Sequence, residues 1–372
     1  MSALQKQIDQ ARMQVNTDSY PMSIGELVNL YDDGELDIHP EFQRIYRWSE
    51  EQKSRLIESI LLGIPLPSIF VAQRKDGVWD VVDGLQRIST ILSFLGKLKD
   101  EEGKVKKPLI LQATKYLPDL QDKVWEDRHN PEKEIDIEIK RIFKREKIDI
   151  KIIKRESDND TKFELFQRLN TGGSKLSDQE VRNCMLLMHN KDAFFWLKEL
   201  SKNEAFKSTL PISEKQAEES YDTELALRFF IYRNSSEAIR KEHLDVAPYL
   251  NAEMIRLFDE ANHFNFEFEA DILIKTFDIA QKALDDSAFK KYNHSKNKYE
   301  GAISLPVYEA ASFGLSKLIE KNQLSEQELI NLYIEKTKNL TADHEFLHVL
   351  ESRTRPIDRM VEMSKIALRV FQ

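Results

Sequence analysis

The sequence predicts an α+β protein, an α/β domain followed by an all-α domain. Two observations carry this. Up to about residue 155, short runs with strand character alternate with helical ones; beyond it apolar residues recur almost wholly at helical spacing. With 372 residues, 41% of them hydrophobic, the chain is long enough to bury two cores. The expected division is a helical extension over 1–19, an α/β domain over 20–158 and a helical domain over 159–372.

In chain order, Pro40 forces an extended lead into residues 41–48, and Ser49 caps the next helix. Residues 68–73 and 78–82 read as a hairpin around Lys75-Asp76-Gly77, an Asp-Gly turn that favours positive φ. Ile88, Ile91, Leu92 and Leu95 give the next helix its buried stripe. The charged, weakly periodic stretch 98–129, with Gly103 and Pro108, is expected to be an insertion able to close over a site. Near-alternating apolar residues predict strands over 135–143 and 148–153. Helical patterns then cover 161–170, 178–188, 192–200, 223–232, 252–261, 303–319, 326–336 and 359–370, with capping-box spacing at Ser177/Glu180 and Ser325/Glu328.

Composition removes several classes of function. Cys184 is the only cysteine and sits among Met185, Leu186, Leu187 and Met188, which excludes a disulfide framework and a cysteine zinc site and reads as a buried thiol. No apolar run approaches the roughly 18 to 20 residues needed to span a bilayer, and the first residues lack a signal peptide's pattern. The expectation is a cytoplasmic protein with no membrane partner. A net charge of −9 argues against nucleic-acid binding through the overall field. Two basic segments, 140–145 and 151–155, leave local DNA contact open beside the commoner reading of a solvated face.

Three polar clusters stand out. Asp83-Gly84-Leu85-Gln86-Arg87 lies between a strand pattern and a helix pattern, where backbone N–H groups and a guanidinium favour an anionic phosphate; alternatively Asp83 simply caps the helix. Upstream, Gln43, Arg44, Tyr46 and Trp48 combine an amide, a cation and rings that stack on a base or anchor the core, the core being favoured. Downstream, Arg168 and Asn170 precede the turn at Gly172-Gly173. No Walker A loop is present, which argues against a P-loop engine.

In order and spacing, residues 40–48, Ile64-Pro65-Leu66-Pro67, 83–87 and 166–176 together resemble the N-terminal domain of GmrSD-type modification-dependent restriction endonucleases, over roughly residues 20–185. The family's motif has Gln where this chain has Leu85. The resemblance implies a ParB/sulfiredoxin-like fold and a restriction-type, anti-phage role in which the domain binds and hydrolyses a nucleoside triphosphate with Mg²⁺. It implies Asp83, Gln86 and Arg87 as catalytic residues, with Gln43, Arg44, Tyr46, Trp48, Gly84, Arg168 and Asn170 binding the nucleotide; the metal ligands stay unassigned.

No His-Asn-His nuclease motif is evident downstream. His344-Glu345-Phe346-Leu347-His348 matches a zincin helix in spacing, but lacks a recognisable downstream ligand and reads as a helix-surface pair. The leading expectation is therefore an NTPase that controls DNA recognition or a separately encoded effector or nuclease, with a homo-oligomer left open. The alternatives are a non-catalytic DNA-binding or scaffold protein that keeps the fold and, more weakly, a DNA-nicking nuclease.

Overall fold

The computed structural model of the protein describes residues 2, 4, 5, 17–38, 48–74, 76–100, 102–154, 177–235, 245–321, 323–351 and 355–371. The chain forms two compact units, Met1–Leu176 and Ser177–Gln372. The division expected at 158/159 and the helix expected over 161–170 fall within 155–176, outside the described residues.

The first unit runs β1 (Thr17–Ser23), α1 (Ile24–Asp32), β2 (Leu36–Asp37), α2 (Glu50–Leu61), β3 (Ile69–Gln73), β4 (Trp79–Asp83), α3 (Leu85–Phe94), α4 (Ile137–Arg145) and β5 (Lys147–Ile153). Its five strands form one mixed sheet in the order β1-β5-β3-β4-β2. The predicted hairpin is present as antiparallel β3 and β4, with Gly77 at φ +94° in its turn. Thr17, Asp18 and Ser19, expected in a helical extension, instead open β1, which pairs antiparallel with β5 from Thr17↔Ile153 to Ser23↔Lys147. That pairing satisfies backbone groups which the short sequence pattern leaves unassigned.

A second correction concerns residues 135–143, expected as a strand. The segment forms helix α4, because the side chains that find the core are Ile135 and Phe143, with Ile139 packed against it: a spacing of four, not two. Ile137, which makes the alternation look strand-like, and Ile142, out of phase with it, are 61% and 52% exposed.

The stretch 98–129 has little regular structure, yet it is pinned down. Leu98, Leu109, Leu111, Leu120 and Trp125 enter the core, and Trp125 meets Phe94 and Phe143 at ring-centroid distances of 5.4 and 5.6 Å. Two α2 side chains also hold it: Ser54 Oγ accepts from Gln112 N–H at 2.9 Å, and Glu58 Oε1 accepts from the N–H groups of Tyr116 (3.0 Å) and Leu117 (3.2 Å). Burial opposes the Glu58 charge, but these bonds and one from the Thr114 hydroxyl outweigh it and hold the carboxyl below its ordinary range. The α2 helix starts with a capping box of Ser49 and Gln52.

The second unit is mainly helical: α5 (Asp178–His189), α6 (Lys191–Leu200), α7 (Glu204–Thr209), α8 (Glu214–Glu218), α9 (Tyr221–Asn234), α10 (Val246–Leu257), α11 (Phe266–Leu284), α12 (Leu305–Lys321), α13 (Glu326–Ala342), α14 (His344–Glu351) and α15 (Pro356–Val370). Both predicted capping boxes form, at Ser177/Glu180 and Ser325/Glu328. A small antiparallel hairpin, β6 (Lys291–Asn293) with β7 (Lys298–Glu300), interrupts the helices. Cys184 is buried. Ion pairs cross the helical core: Arg233 Nε to Glu269 at 2.7 Å, Arg228 Nη1 to Glu309 at 2.9 Å and Arg182 Nη2 to Glu224 at 2.6 Å. Burial raises the Glu309 carboxyl above its usual value, against the pull of Arg228. Among the described residues, no helix is long and apolar enough to cross a membrane.

Candidate functional site

The site begins with a fault in the β3–β4 ladder. Val71 pairs with Val81, but Phe70 pairs with Asp83, so Val82 is an extra residue on β4. Such a bulge bends the strand and re-aims the residues beyond it. Asp83 ends the strand, and Gly84 turns the chain into α3 at φ +100°, a left-handed conformation that L side chains rarely adopt. A Cβ here would lie 2.8 Å from Ile69 Cγ1 and 3.3 Å from Arg87 Nη2. Glycine is thus required twice over, for its φ and for the closeness of β3.

The N-cap of α3 is Gly84, which has no side chain to cap the helix, and not Asp83, the alternative reading of the sequence. The Asp83 carboxylate instead pairs with Arg87, its Oδ2 accepting from Nη2 at 2.9 Å. The same guanidinium donates through Nη1 to the carbonyls of Pro67 and Ser68, the latter at 3.2 Å. Burial draws the Arg87 charge below its usual value while Asp83 opposes the shift. Two of the four sequence motifs, Ile64-Pro65-Leu66-Pro67 and Asp83 to Arg87, are therefore joined through one side chain.

Gln86 lies in the first turn of α3, partly buried, and its carbonyl accepts from the Thr90 hydroxyl at 2.7 Å. Leu85 packs against the hydrophobic core, so the residue that departs from the family motif has an apolar place. Trp48, expected at the nucleotide, also packs against that core. Gln43, Arg44, Tyr46, Arg168 and Asn170 lie outside the described residues.

Among the described residues, no group of three or more His, Cys, Asp or Glu side chains is placed to hold a metal ion. Mg²⁺ does not require such a cage: one or two carboxylates, phosphate oxygens and water suffice. Asp83 fits that role, since its pair with Arg87 uses only Oδ2. His344 and His348 are both exposed on α14, and Glu345 pairs with Arg369 at 2.9 Å. A groove of about 490 Å³ in the second unit, lined by Phe268, Ile272, Leu318 and Leu324, holds none of the residues singled out by the sequence, and its rim charges pair as Lys275–Asp271 and Lys282–Glu326.

One polar cluster escapes a reading of the sequence alone. Arg74, after β3, donates through Nε to Asp80 at 2.9 Å and through Nη2 to Asp37 at 2.7 Å. Asp80 is buried and lies opposite Asp37 in the parallel β2–β4 pair, so Arg74 ties the edge strand to the hairpin. The signal is a lone carboxylate inside Val78-Trp79-Asp80-Val81-Val82, where a strand core demands a partner.

The bulged strand, glycine turn and Asp-Gly-x-Gln-Arg motif all lie within one family match. Residues 24–187 match the family model described as GmrSD restriction endonuclease, N-terminal domain. This part of the chain belongs to the GmrSD N-terminal domain family, and the match runs on into α5. No curated protein and no solved structure matches the chain.

Proposed function

We propose that the amino-terminal domain binds a nucleoside triphosphate with Mg²⁺ and hydrolyses it, and that nucleotide state governs DNA recognition or a partner effector in restriction-type defence. The observation that carries this reading is the mouth of α3. A left-handed glycine, which has no capping side chain of its own, opens the helix, with Asp83 and Arg87 beside it. The N–H end of the helix, with its partial positive charge, favours a phosphate there.

In this reading the Asp83 carboxylate would hold the metal, Gln86 would orient the attacking water, and Arg87, held by the Pro67 and Ser68 carbonyls, would turn its charge from Asp83 to phosphate oxygens. Mg²⁺ neutralises charge on the phosphates when bound. Gln43, Arg44, Tyr46, Arg168 and Asn170 complete the contacts, and Trp48 braces the wall from the core side.

Calorimetry with ATP and GTP in Mg²⁺, together with phosphate release with and without DNA, tests the proposal on the full chain. Binding with turnover that Asp83→Asn and Gln86→Ala abolish, in variants of native circular dichroism, supports it. Neither binding nor turnover in the unmodified chain sinks it. A second reading, a non-catalytic scaffold, is favoured by the Asp83–Arg87 pair, which occupies both charged groups with each other. It expects no turnover under any of these conditions.

A further inference from the structure

We infer that the exposed face of α4 is a contact surface for the phosphate backbone of duplex DNA. The inference rests on the DNA-directed part of the function proposed above and assigns it a place. Arg141, Lys144, Arg145 and Lys147 lie close together within the end of α4 and the first residue of β5, and all four are exposed. As a strand, the segment would send alternate side chains to opposite faces. As a helix it puts Arg141, Lys144 and Arg145, at spacings of three and four, on one face.

These four cations stand together, whereas several other surface bases of the unit are matched locally, as in Lys53–Glu50, Arg55–Glu51, Lys104–Glu102 and Lys140–Glu134. Among the described residues, none of the four makes an ion pair; Lys144 instead stands 5.8 Å from the centre of the Trp125 ring. Glu138, three residues before Arg141, is the acid on the same face, so four exposed cations stand against one carboxylate, a local positive field within a chain of net charge −9.

Helix-end stabilisation does not account for it. Cations favour a helix C-terminus because the last carbonyls lack donors, and α4 ends where α1 begins. Ile24 N–H, the first of α1, donates to the Glu146 carbonyl at 2.9 Å, and a Cβ on Gly25 would lie 3.3 Å from the Lys144 carbonyl oxygen. The positive end of α1 thus already meets the negative end of α4.

The partner chemistry is set by the groups the face offers and lacks. Four cations suit a polyanion of regularly spaced phosphates, and exposed Ile142, between Arg141 and Lys144 in the chain, and Ile137, one turn before Arg141, offer apolar contact to sugars. A membrane-surface helix would present a broad apolar face to lipid. Here Phe143 and Ile139 are taken by the protein core, leaving only the two isoleucines among charges.

The test is fluorescence anisotropy of the full chain on a short duplex DNA over a series of salt concentrations. It compares the unmodified protein with the triple variant Arg141→Gln/Lys144→Gln/Arg145→Gln and with a control, Lys296→Gln/Lys298→Gln, whose lysines pair with Glu300 on the β6–β7 hairpin. The triple variant is expected to lose at least tenfold in affinity and to lower the salt slope by about 0.9 for each cation removed. The control is expected to bind as the unmodified protein does.

A chain that binds DNA with equal affinity and slope in the triple variant overturns the assignment to α4 while leaving DNA recognition standing. An equal loss in the control overturns it too. An unmodified chain that binds anionic vesicles but no duplex overturns both the assignment and the DNA-directed reading. Phosphate release measured on the same samples reports on the nucleotide site independently.

Discussion

Arg87 reaches back one helical turn to Asp83 at 2.9 Å, and the same guanidinium spans to the carbonyls of Pro67 and Ser68. The arginine is therefore shared between two jobs: it neutralises a carboxylate and fastens the approach to β3. The two jobs have different consequences when removed. Replacing Asp83 with Ala leaves the Pro67 and Ser68 contacts in place, whereas Arg87→Ala loses all three partners. Chemical denaturation is expected to show Arg87→Ala costing more than Asp83→Ala, with a coupling energy of about 1 kcal/mol between them in a double-mutant cycle. Equal costs for the two variants contradict the shared role.

Gly84 and Gly77 both have positive φ, but only Gly84 faces a neighbour. Nothing lies within 4 Å of a Cβ on Gly77, whereas one on Gly84 meets Ile69 at 2.8 Å. Gly77→Ala should cost about 1 kcal/mol for backbone strain alone, and Gly84→Ala about 2 to 3 kcal/mol more once the clash is added. Thermal melts of the two variants side by side give the comparison; indistinguishable midpoints speak against the close approach.

Glu58 fastens the 98–129 stretch with a carboxylate whose folded pKa is depressed. A depressed carboxylate contributes stability above its unfolded pKa and loses it as pH falls through the folded value. The stretch should therefore loosen on acidification, below the ordinary glutamate range. Glu58→Gln should loosen it already at neutral pH and flatten the acid response. Hydrogen exchange of Gln112, Tyr116 and Leu117 amides against pH reads this directly, and an unchanged profile in the variant counts against it.

In the second unit, Glu269 faces Arg233, whose Nη1 also donates to Ser316 Oγ at 3.0 Å. Both side chains of the ion pair are almost wholly buried. Glu269→Ala leaves the buried guanidinium with only the partly exposed Glu320, 3.5 Å from Nη1, a loss of about 3 kcal/mol, whereas Arg233→Met combined with Glu269→Leu should recover most of it. Denaturation midpoints decide; a double variant no better than Glu269→Ala refutes the argument.

The motifs at 83–87 and 64–67 are legible in the sequence because each is contiguous and rich in turn residues. Their meeting is not: Arg87 bonds to carbonyls 19 and 20 residues upstream, and backbone oxygens carry no signature in sequence. Strand β2 is only two residues long and stands by pairing with β4, a non-local cause. Helix α4 reads as a strand because Ile135, Ile137 and Ile139 alternate, and only tertiary burial of Ile135 and Phe143 selects the period of four. The β6–β7 hairpin rests on contacts of the same non-local kind: Tyr299 hydroxyl lies 2.9 Å from Thr337 Oγ1 on α13. By contrast, the capping boxes at Ser49, Ser177 and Ser325 depend on residues three apart, and all three form.

The unpaired Val82 makes the motif sensitive to length in a way that it is not to identity. Substitutions along β4 change one side chain each, but removing the single residue between Val81 and Asp83 would restore even pairing and leave Asp83 opposite Phe70 with no bend before it. The carboxylate would then leave the strand on a different heading, and Gly84 would start α3 from the wrong side of Ile69. Drift in this domain can tolerate replaced letters at that point far better than a missing one.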